Sequence, residues 1–280
     1  MTRLPDPETF LSGEHGEVGG RRGALRRAAD SALDRWLGAS GALRAIDAAA
    51  ERVPVRDVLV ASIYRPPGAA LAAALPELTS TRHRVRLALG STGAASLPET
   101  VAHGLERGKF ENLNALVDTS AEWLLVVDDD VVLPPRFLDR MICLAERFEL
   151  ALAQPAQSLG SHAAWRVARR RPRSILRETR FVEIGPVTLF RRDAAQELLP
   201  FPPLRYGWGL DLAWAATASE RGWRLGIADA LAVRHETATV GSAYSADAAI
   251  EEAREFLSTR PYLSSAAAQE TLVTHRRLPA

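Results

Sequence analysis

Cysteine is nearly absent from this chain. Cys143 is the only one in 280 residues, so no intrachain disulfide can form and a reducing compartment fits. Set in an apolar helical pattern, it reads as packing rather than as a nucleophile. Lysine is equally scarce: Lys109 stands alone, and the rest of the basic charge is arginine. Long apolar runs are missing too, since none approaches the ~20 residues that span a bilayer. Met1-Thr2-Arg3-Leu4-Pro5-Asp6-Pro7 has no apolar h-region, so no secretory signal is expected and the expected residence is cytoplasmic. Net charge is small as well. Lys+Arg 35 against Asp+Glu 34 leaves +1, which argues neither for nor against nucleic acid.

What is present is ordinary globular material, 47% hydrophobic and 25% charged, enough for a core of good size. Three parts are expected: residues 1–55, 56–240 and 241–280. The first opens on a Pro-, Gly- and acid-rich start over 1–20, expected to be poorly ordered. Two helices follow. One places Leu25, Ala29, Leu33, Trp36 and Leu37 on a shared face beneath Arg21, Arg22, Arg26 and Arg27; the other repeats Leu43, Ile46, Ala50 and Val53. Packing on its own domain is the favoured role of this extension, with peripheral membrane contact as the alternative.

From residue 57 strands and helices alternate. Asp57–Ile63 and Arg84–Leu89 read as strands, Ala69–Leu78, Phe110–Thr119 and Pro135–Phe148 as helices, and Leu150–Gln154 as a further strand. Strands separated by helices imply a mostly parallel sheet flanked by helices, with ligands at the strands' carboxyl ends. Ser245–Leu257 is the clearest of the C-terminal helices.

Trp123-Leu124-Leu125-Val126-Val127 has the length and β-branched content of a strand buried on both faces, and it delivers Asp128, Asp129 and Asp130 to one point. Alternation along an extended chain would send Asp128 and Asp130 one way and Asp129 the other. Adjacent carboxylates at a strand end repel unless a cation sits nearby, and hard ions such as Mg²⁺ or Mn²⁺ take oxygen ligands while keeping positions for phosphate. The segment from His162 to Arg180 carries Arg166, Arg169, Arg170, Arg171, Arg173, Arg177 and Arg180. A solvated loop or helix face is expected there ahead of an anion site. Only Trp165 interleaves the arginines, so no nucleic-acid partner is expected.

Three further motifs accompany the acidic strand. Gly108-Lys109-Phe110-Glu111-Asn112-Leu113-Asn114 precedes it, Glu183-Ile184-Gly185-Pro186 introduces Val187–Arg192, and Tyr206-Gly207-Trp208-Gly209-Leu210-Asp211 precedes a helix; His235 ends a strand-like Leu231–Arg234. In order and spacing, over about residues 56–240, these resemble the GT-A glycosyltransferases of the family-2 type. The resemblance implies a Rossmann-related α/β domain that moves a sugar from a nucleotide-diphosphate sugar to an acceptor hydroxyl or amine. A UDP-sugar is the first expectation, with GDP- and dTDP-sugars as alternatives, and Mn²⁺ or Mg²⁺ as the ion. It implies Asp128, Asp130 and His235 around the metal, and Asp211 as catalytic base. Lys109, Asn114, Asp128 and Asp129 fall on the donor, with Ser62, Tyr64, Arg65 and Ser91 at the first two strand ends. Glu183, Gly185, Trp208 and Gly209 fall on the sugar and acceptor side.

The pattern departs from the family in two places. The second strand ends in Leu89-Gly90-Ser91 with no acid to hold a nucleobase, and Leu210 replaces the acidic residue usual before the base. The acidic strand also fits the D-x-D-x-[TV] opening of haloacid-dehalogenase-type phosphatases, but two strand–helix units precede it and no lysine follows. A nucleotidyltransferase on a similar fold would want a Gly-rich basic loop after the first strand, and Ser62–Gly68 is a poor one. A non-catalytic sugar-nucleotide binder or scaffold is the remaining alternative. The acceptor and the oligomeric state are not legible.

Overall fold

The computed structural model describes residues 20–235 and 245–279. The expected disordered start therefore lies outside the described residues, Gly20 apart. Helices α1 (Gly20–Ala39) and α2 (Ala42–Ala50) form the N-terminal extension. In α2 Ile46, Ala49 and Ala50 are buried, as the spacing predicts. In α1 the expected apolar face does not form: Leu25 is 72% exposed, and only Gly23 and Leu37 are buried. Its middle is fixed by a carboxylate instead. Asp30 accepts hydrogen bonds from the N–H groups of Leu159 (3.0 Å) and Gly160 (2.8 Å).

The α/β portion runs β1 (Asp57–Tyr64), α3 (Ala69–Thr79), β2 (Arg84–Ser91), β3 (Thr100–Ala102), α4 (Lys109–Leu113) and β4 (Trp123–Val127). It continues through β5 (Val131–Val132), α5 (Phe137–Arg147), β6 (Leu150–Gln157), β7 (Leu176–Thr179), β8 (Val187–Arg191), α6 (Arg192–Leu198), α7 (Leu210–Arg221) and β9 (Arg224–His235). After the gap come α8 (Ala246–Ser258), α9 (Ser265–Ala268) and β10 (Thr271–His275). Helix α4 is shorter than the apolar pattern predicts. It loosens into turns after Leu113, where the Asn114 side chain binds the backbone of Phe201 in both directions at 2.8 Å.

The sheet order is β10-β7-β9-β6-β8-β4-β1-β2-β3. Strands β3, β2, β1 and β4 are parallel, as are β6 and β9, whereas β7 and β8 run against the rest. Both faces are buried. Leu59, Ala61, Leu124 and Val126 pack beneath α4, α7 and α8, and Val58, Val60, Leu125 and Val127 pack against α2, α3 and α5. That two-sided burial is why β4 reads as an unbroken apolar run.

The parallel strands bring their carboxyl ends to one rim. Because β8 is antiparallel, with Val187 opposite Val127, the loop entering it reaches the same rim. Strand β5 pairs with the far end of β9, Val131 opposite His235. The triad thus sits among four chain segments that sequence separates widely.

The Arg-rich segment is solvated only in part: Arg166, Arg171, Arg173 and Arg180 are exposed, as expected, but two of its arginines are not. Arg170 and Arg177 are buried. Arg170 pairs with Asp34 of α1 at 2.6 Å. Arg177 and Asp229 are both 0% exposed and make a two-pronged pair, Nε to Oδ2 at 2.8 Å and Nη2 to Oδ1 at 3.0 Å. The remaining guanidinium donors reach the carbonyls of Val167 and Arg169, and Asp229 also accepts the Arg171 N–H. These arginines brace the fold from within. No helix among the described residues is long and apolar enough to cross a membrane.

Candidate functional site

Strand β4 ends at Val127, and a turn carries the three aspartates to β5. Strand alternation therefore does not run through the triad, and each carboxylate meets a different wall. Asp128 forms an ion pair with Lys109, whose Nζ lies 3.5 Å from the Ile184 carbonyl and 5.1 Å from the Phe110 ring centre. Gly185 lies over this pair: a Cβ there would come within 2.9 Å of Asp128 Oδ2, so a larger residue would push the Asp128 carboxylate aside. Asp129 turns to the end of β1, where its Oδ2 accepts the Arg65 N–H at 2.7 Å. Burial, with repulsion from its two neighbours, raises its pKa.

Asp130 faces β9. Its Oδ1 lies 3.4 Å from Nδ1 of His235, a buried nitrogen that makes no aligned hydrogen bond. Burial opposes ionisation of Asp130, but the His235 imidazole, with His162 and Lys109, carries its pKa below the usual value. His162 lies against His235, ring centres 4.2 Å apart. The His235 backbone N–H donates to Ser161 Oγ at 3.1 Å, so the loop anchored by Asp30 of α1 also holds the end of β9 that carries this imidazole.

Among the described residues no group of three or more His, Cys, Asp or Glu side chains is arranged to hold a metal ion. The donors that do converge are an Asp130 oxygen and the orphaned His235 nitrogen. They fit an ion held by two side chains, with its other positions left to phosphate and water, as hard divalent cations often are. Asp128, expected as a third ligand, is occupied by Lys109.

On the other side of the 184–185 turn lies a second acidic pair. Gly209, with φ +87°, begins α7, and Asp211 sits in its first turn, 5% exposed. Its carboxylate accepts the Leu212 N–H at 2.9 Å, and the nearby Trp165 and Ile184 dipoles partly offset its burial. Glu183, 4% exposed, accepts the Trp165 backbone N–H at 2.9 Å and a longer contact from Gln157 Nε2 at 3.4 Å. Its own N–H donates to Gln154 Oε1. Burial raises both carboxyl pKa values, and for Glu183 the Asp211 charge adds to the effect. Trp165 thus holds the Glu183 carboxylate with its backbone.

The remaining expected positions are internal. Ser62 is fully buried and its Oγ has no partner. The Tyr64 hydroxyl serves the 96–100 loop, meeting Thr100 Oγ1 at 2.6 Å and the N–H groups of Ser96 and Leu97. Ser91 closes its own turn onto Ala94 and Gly93. Asn114 is spent on Phe201, and Trp208 is buried in the core beneath α7. Of the first-strand residues only Arg65 is exposed at the rim. Glu252 of α8 was not legible as a contributor. It gathers the N–H groups of Arg205, Tyr206 and Gly207 and so sets the loop leading to Asp211. His162 and Trp165 were also missed: each lay in the segment read for its arginines.

No protein-family model matches the sequence, and no curated protein matches it significantly. Solved structures do. A mannosyltransferase from Pyrobaculum calidifontis, solved with GDP-Man and Mn²⁺, is 14% identical, covering 72% of this chain and 64% of that one, with a TM-score of 0.42. GalNAc-T7, solved with UDP, GalNAc and Mn²⁺, is 10% identical, covering 73% of this chain and 48% of that one, with a TM-score of 0.53. The chain therefore spans about half to two thirds of the length of these proteins. The second likeness shows the fold, a GT-A architecture.

Proposed function

We propose that this GT-A-fold chain is a metal-dependent glycosyltransferase that moves a sugar from a nucleotide-diphosphate sugar to an acceptor hydroxyl or amine, with inversion. One observation carries the reading. Two acidic groups of different character share one rim, a charged one around Asp128–Asp130 with Lys109 and His235, and a buried one at Asp211. A donor and an acceptor need this division. The first group suits a diphosphate with its counter-ion, and the second suits a proton leaving a hydroxyl.

Asp130 and His235 would hold Mn²⁺ or Mg²⁺, which when bound neutralises the charge gathering on the nucleotide diphosphate. Lys109 stands beside Asp128 and supplies positive potential to the same phosphates. Arg65, exposed above Asp129, borders the space for the nucleotide. Asp211 accepts the acceptor's proton as the new bond forms, and burial gives it the basicity that an exposed aspartate lacks. A carboxylate acting as base on the acceptor supports in-line displacement and inversion. GalNAc-T7, of like fold, was solved with UDP and Mn²⁺, which supports testing UDP-sugars first.

Calorimetric titration of UDP, GDP, dTDP and their common sugars, with and without Mn²⁺, tests the reading. The expected result is Mn²⁺-dependent binding of one nucleotide family, weakened in Asp130→Ala. Absence of binding to every nucleotide, with or without metal, would overturn it.

A further inference from the structure

We propose that the edge of the sheet at β10 is a docking surface for an anionic lipid membrane. Four arginines without carboxylate partners gather there beside two exposed apolar side chains. The proposal goes beyond the transferase reading and does not depend on it.

The topology brings these residues together from two parts of the sequence. Strand β10 pairs antiparallel with β7, His275 opposite Leu176, and the Ile175 N–H donates to the His275 carbonyl at 2.8 Å. The ladder therefore sets Arg276 and Arg277, just past β10, beside the chain that enters β7 from the Arg171-Pro172-Arg173 turn. All four arginines are exposed. Leu278 packs onto the core that includes Ile175 and Leu176, which fixes the course of the two arginines before it. Arg173 takes φ +57°, a left-handed position more usual for asparagine or glycine, and places a charge there.

The acids of the neighbourhood are already matched. Asp229 is closed by Arg177, Asp34 pairs with Arg170, Glu178 with Arg224 and His275, and Glu270 with Arg180. Neither residues 159–177 nor residues 271–279 include an acid. Among the described residues the charge of this edge is thus uncompensated, in a chain whose net charge is only +1. It is a local concentration rather than a bulk property.

The apolar part lies on β10 itself, where Leu272 is 51% and Val273 44% exposed. Successive strand residues ordinarily point to opposite faces, but the ladder with β7 slips between Thr271 and Val273. That bulge leaves two successive apolar side chains in solvent. It also interrupts the regular row of backbone groups that a second copy would need in order to add a strand. Among the described residues no aromatic is a large exposed hydrophobic, so the edge lacks the stacking platform of a nucleic-acid groove. Arginine forks beside aliphatic side chains suit a bilayer boundary, where phosphates lie next to acyl chains. Because β7 opposes both β9 and β10, the basic end of β10 points toward the rim that carries His235. A membrane held there borders the end of the sheet that bears the candidate site.

Vesicle sedimentation with the full chain tests this. Wild type is expected to bind vesicles of phosphatidylcholine with phosphatidylserine, to ignore phosphatidylcholine alone, and to release as salt rises. Arg276→Gln with Arg277→Gln should weaken binding about 25-fold, since each arginine near an anionic surface contributes about fivefold. Leu272→Ser with Val273→Ser should weaken it at every salt concentration, because apolar contact is not screened. Arg107→Gln with Arg205→Gln removes equal charge from exposed positions beside Gly108, away from this edge, and should leave binding unchanged. Every substituted side chain is exposed, so the fold should persist, as circular dichroism would check.

No binding, equal binding of the two vesicle types, or β10 variants that bind like wild type would overturn the proposal. So would RNA binding that is lost in the arginine variant while vesicles are ignored, or dimers that the Leu272 and Val273 changes dissolve. Nucleotide titration is read separately: its failure leaves this edge as argued, and failure at the vesicle leaves the transferase reading standing.

Discussion

Two buried acidic places in this molecule are built in opposite ways. At Asp229 a carboxylate meets a guanidinium head-on, both groups are fully enclosed, and the partners' remaining donors and acceptor reach backbone groups. At Asp211 a carboxylate lies near another carboxyl, and the Leu212 N–H does the holding. The first arrangement leaves every group of the pair matched to a partner, so it serves the scaffold. The second leaves protonation in balance, which is useful for chemistry and costly for stability. The difference is a practical guide: a buried charge whose every partner is satisfied belongs to the scaffold, and one balanced against its own kind is a candidate for function.

The largest effect expected to separate the two places is on turnover. Asp211→Asn should lower transfer by about 10²–10⁴-fold, the usual contribution of a positioned acid or base, while calorimetry finds donor binding unaltered. Turnover equal to wild type would remove Asp211 from the mechanism. Arg177→Met or Asp229→Ala should cost about 3–5 kcal/mol in urea unfolding, since each strands a buried charge. A loss under about 1 kcal/mol would mean the pair behaves like an exposed one. Asp130→Ala and His235→Ala should each weaken Mn²⁺-dependent nucleotide binding by about 10–100-fold, in the range seen when a metal site's support is lost. Metal-independent binding of equal strength would move the ion elsewhere.

Stability against pH gives a smaller contrast. Burial raises the Asp211 pKa to about 7. A carboxyl with a raised folded pKa contributes stability that is complete below its unfolded pKa of about 3.9 and is lost as pH rises through the folded value. Wild type should therefore weaken between about pH 4 and 7 more than Asp211→Asn does. Parallel curves for the two would contradict the raised pKa. The smallest change belongs to Tyr64→Phe, expected to cost about 1 kcal/mol as its hydroxyl leaves the 96–100 loop. A change in nucleotide affinity with no change in stability would return Tyr64 to the donor pocket.

Local patterns in the sequence carried much of the fold. The five apolar residues of β4, the spacing of Ile250, Ala253, Phe256 and Leu257 in α8, and the alternation of strands with helices all announce themselves within a few residues. Patterns that depend on distant partners did not. Leu25 looked like part of a packed face because spacing alone does not say whether a second surface is there to meet it. Arg170 and Arg177 looked as solvated as their exposed neighbours because Asp229, Asp30 and Asp34, which receive them, lie 52 or more residues away in sequence. The site divides in the same way. The triad was visible as three adjacent letters, whereas the nearness of Glu183 to Asp211 depends on the reversal of β8, which no periodicity encodes. Tyr64 and Ser91 sit at strand ends where a ligand contact would be expected, but their hydroxyls face loops that fold back over them.

The solitary lysine has an experimental consequence. A chain with 34 arginines and one lysine offers amine-directed reagents a single side-chain target, and that target is the partner of Asp128. Reductive methylation with isotopically labelled formaldehyde would install one magnetic-resonance reporter on Lys109 while keeping its charge. The signal of that methylated amine would follow nucleotide and metal arriving at the rim, against a background in which no other side chain carries the label.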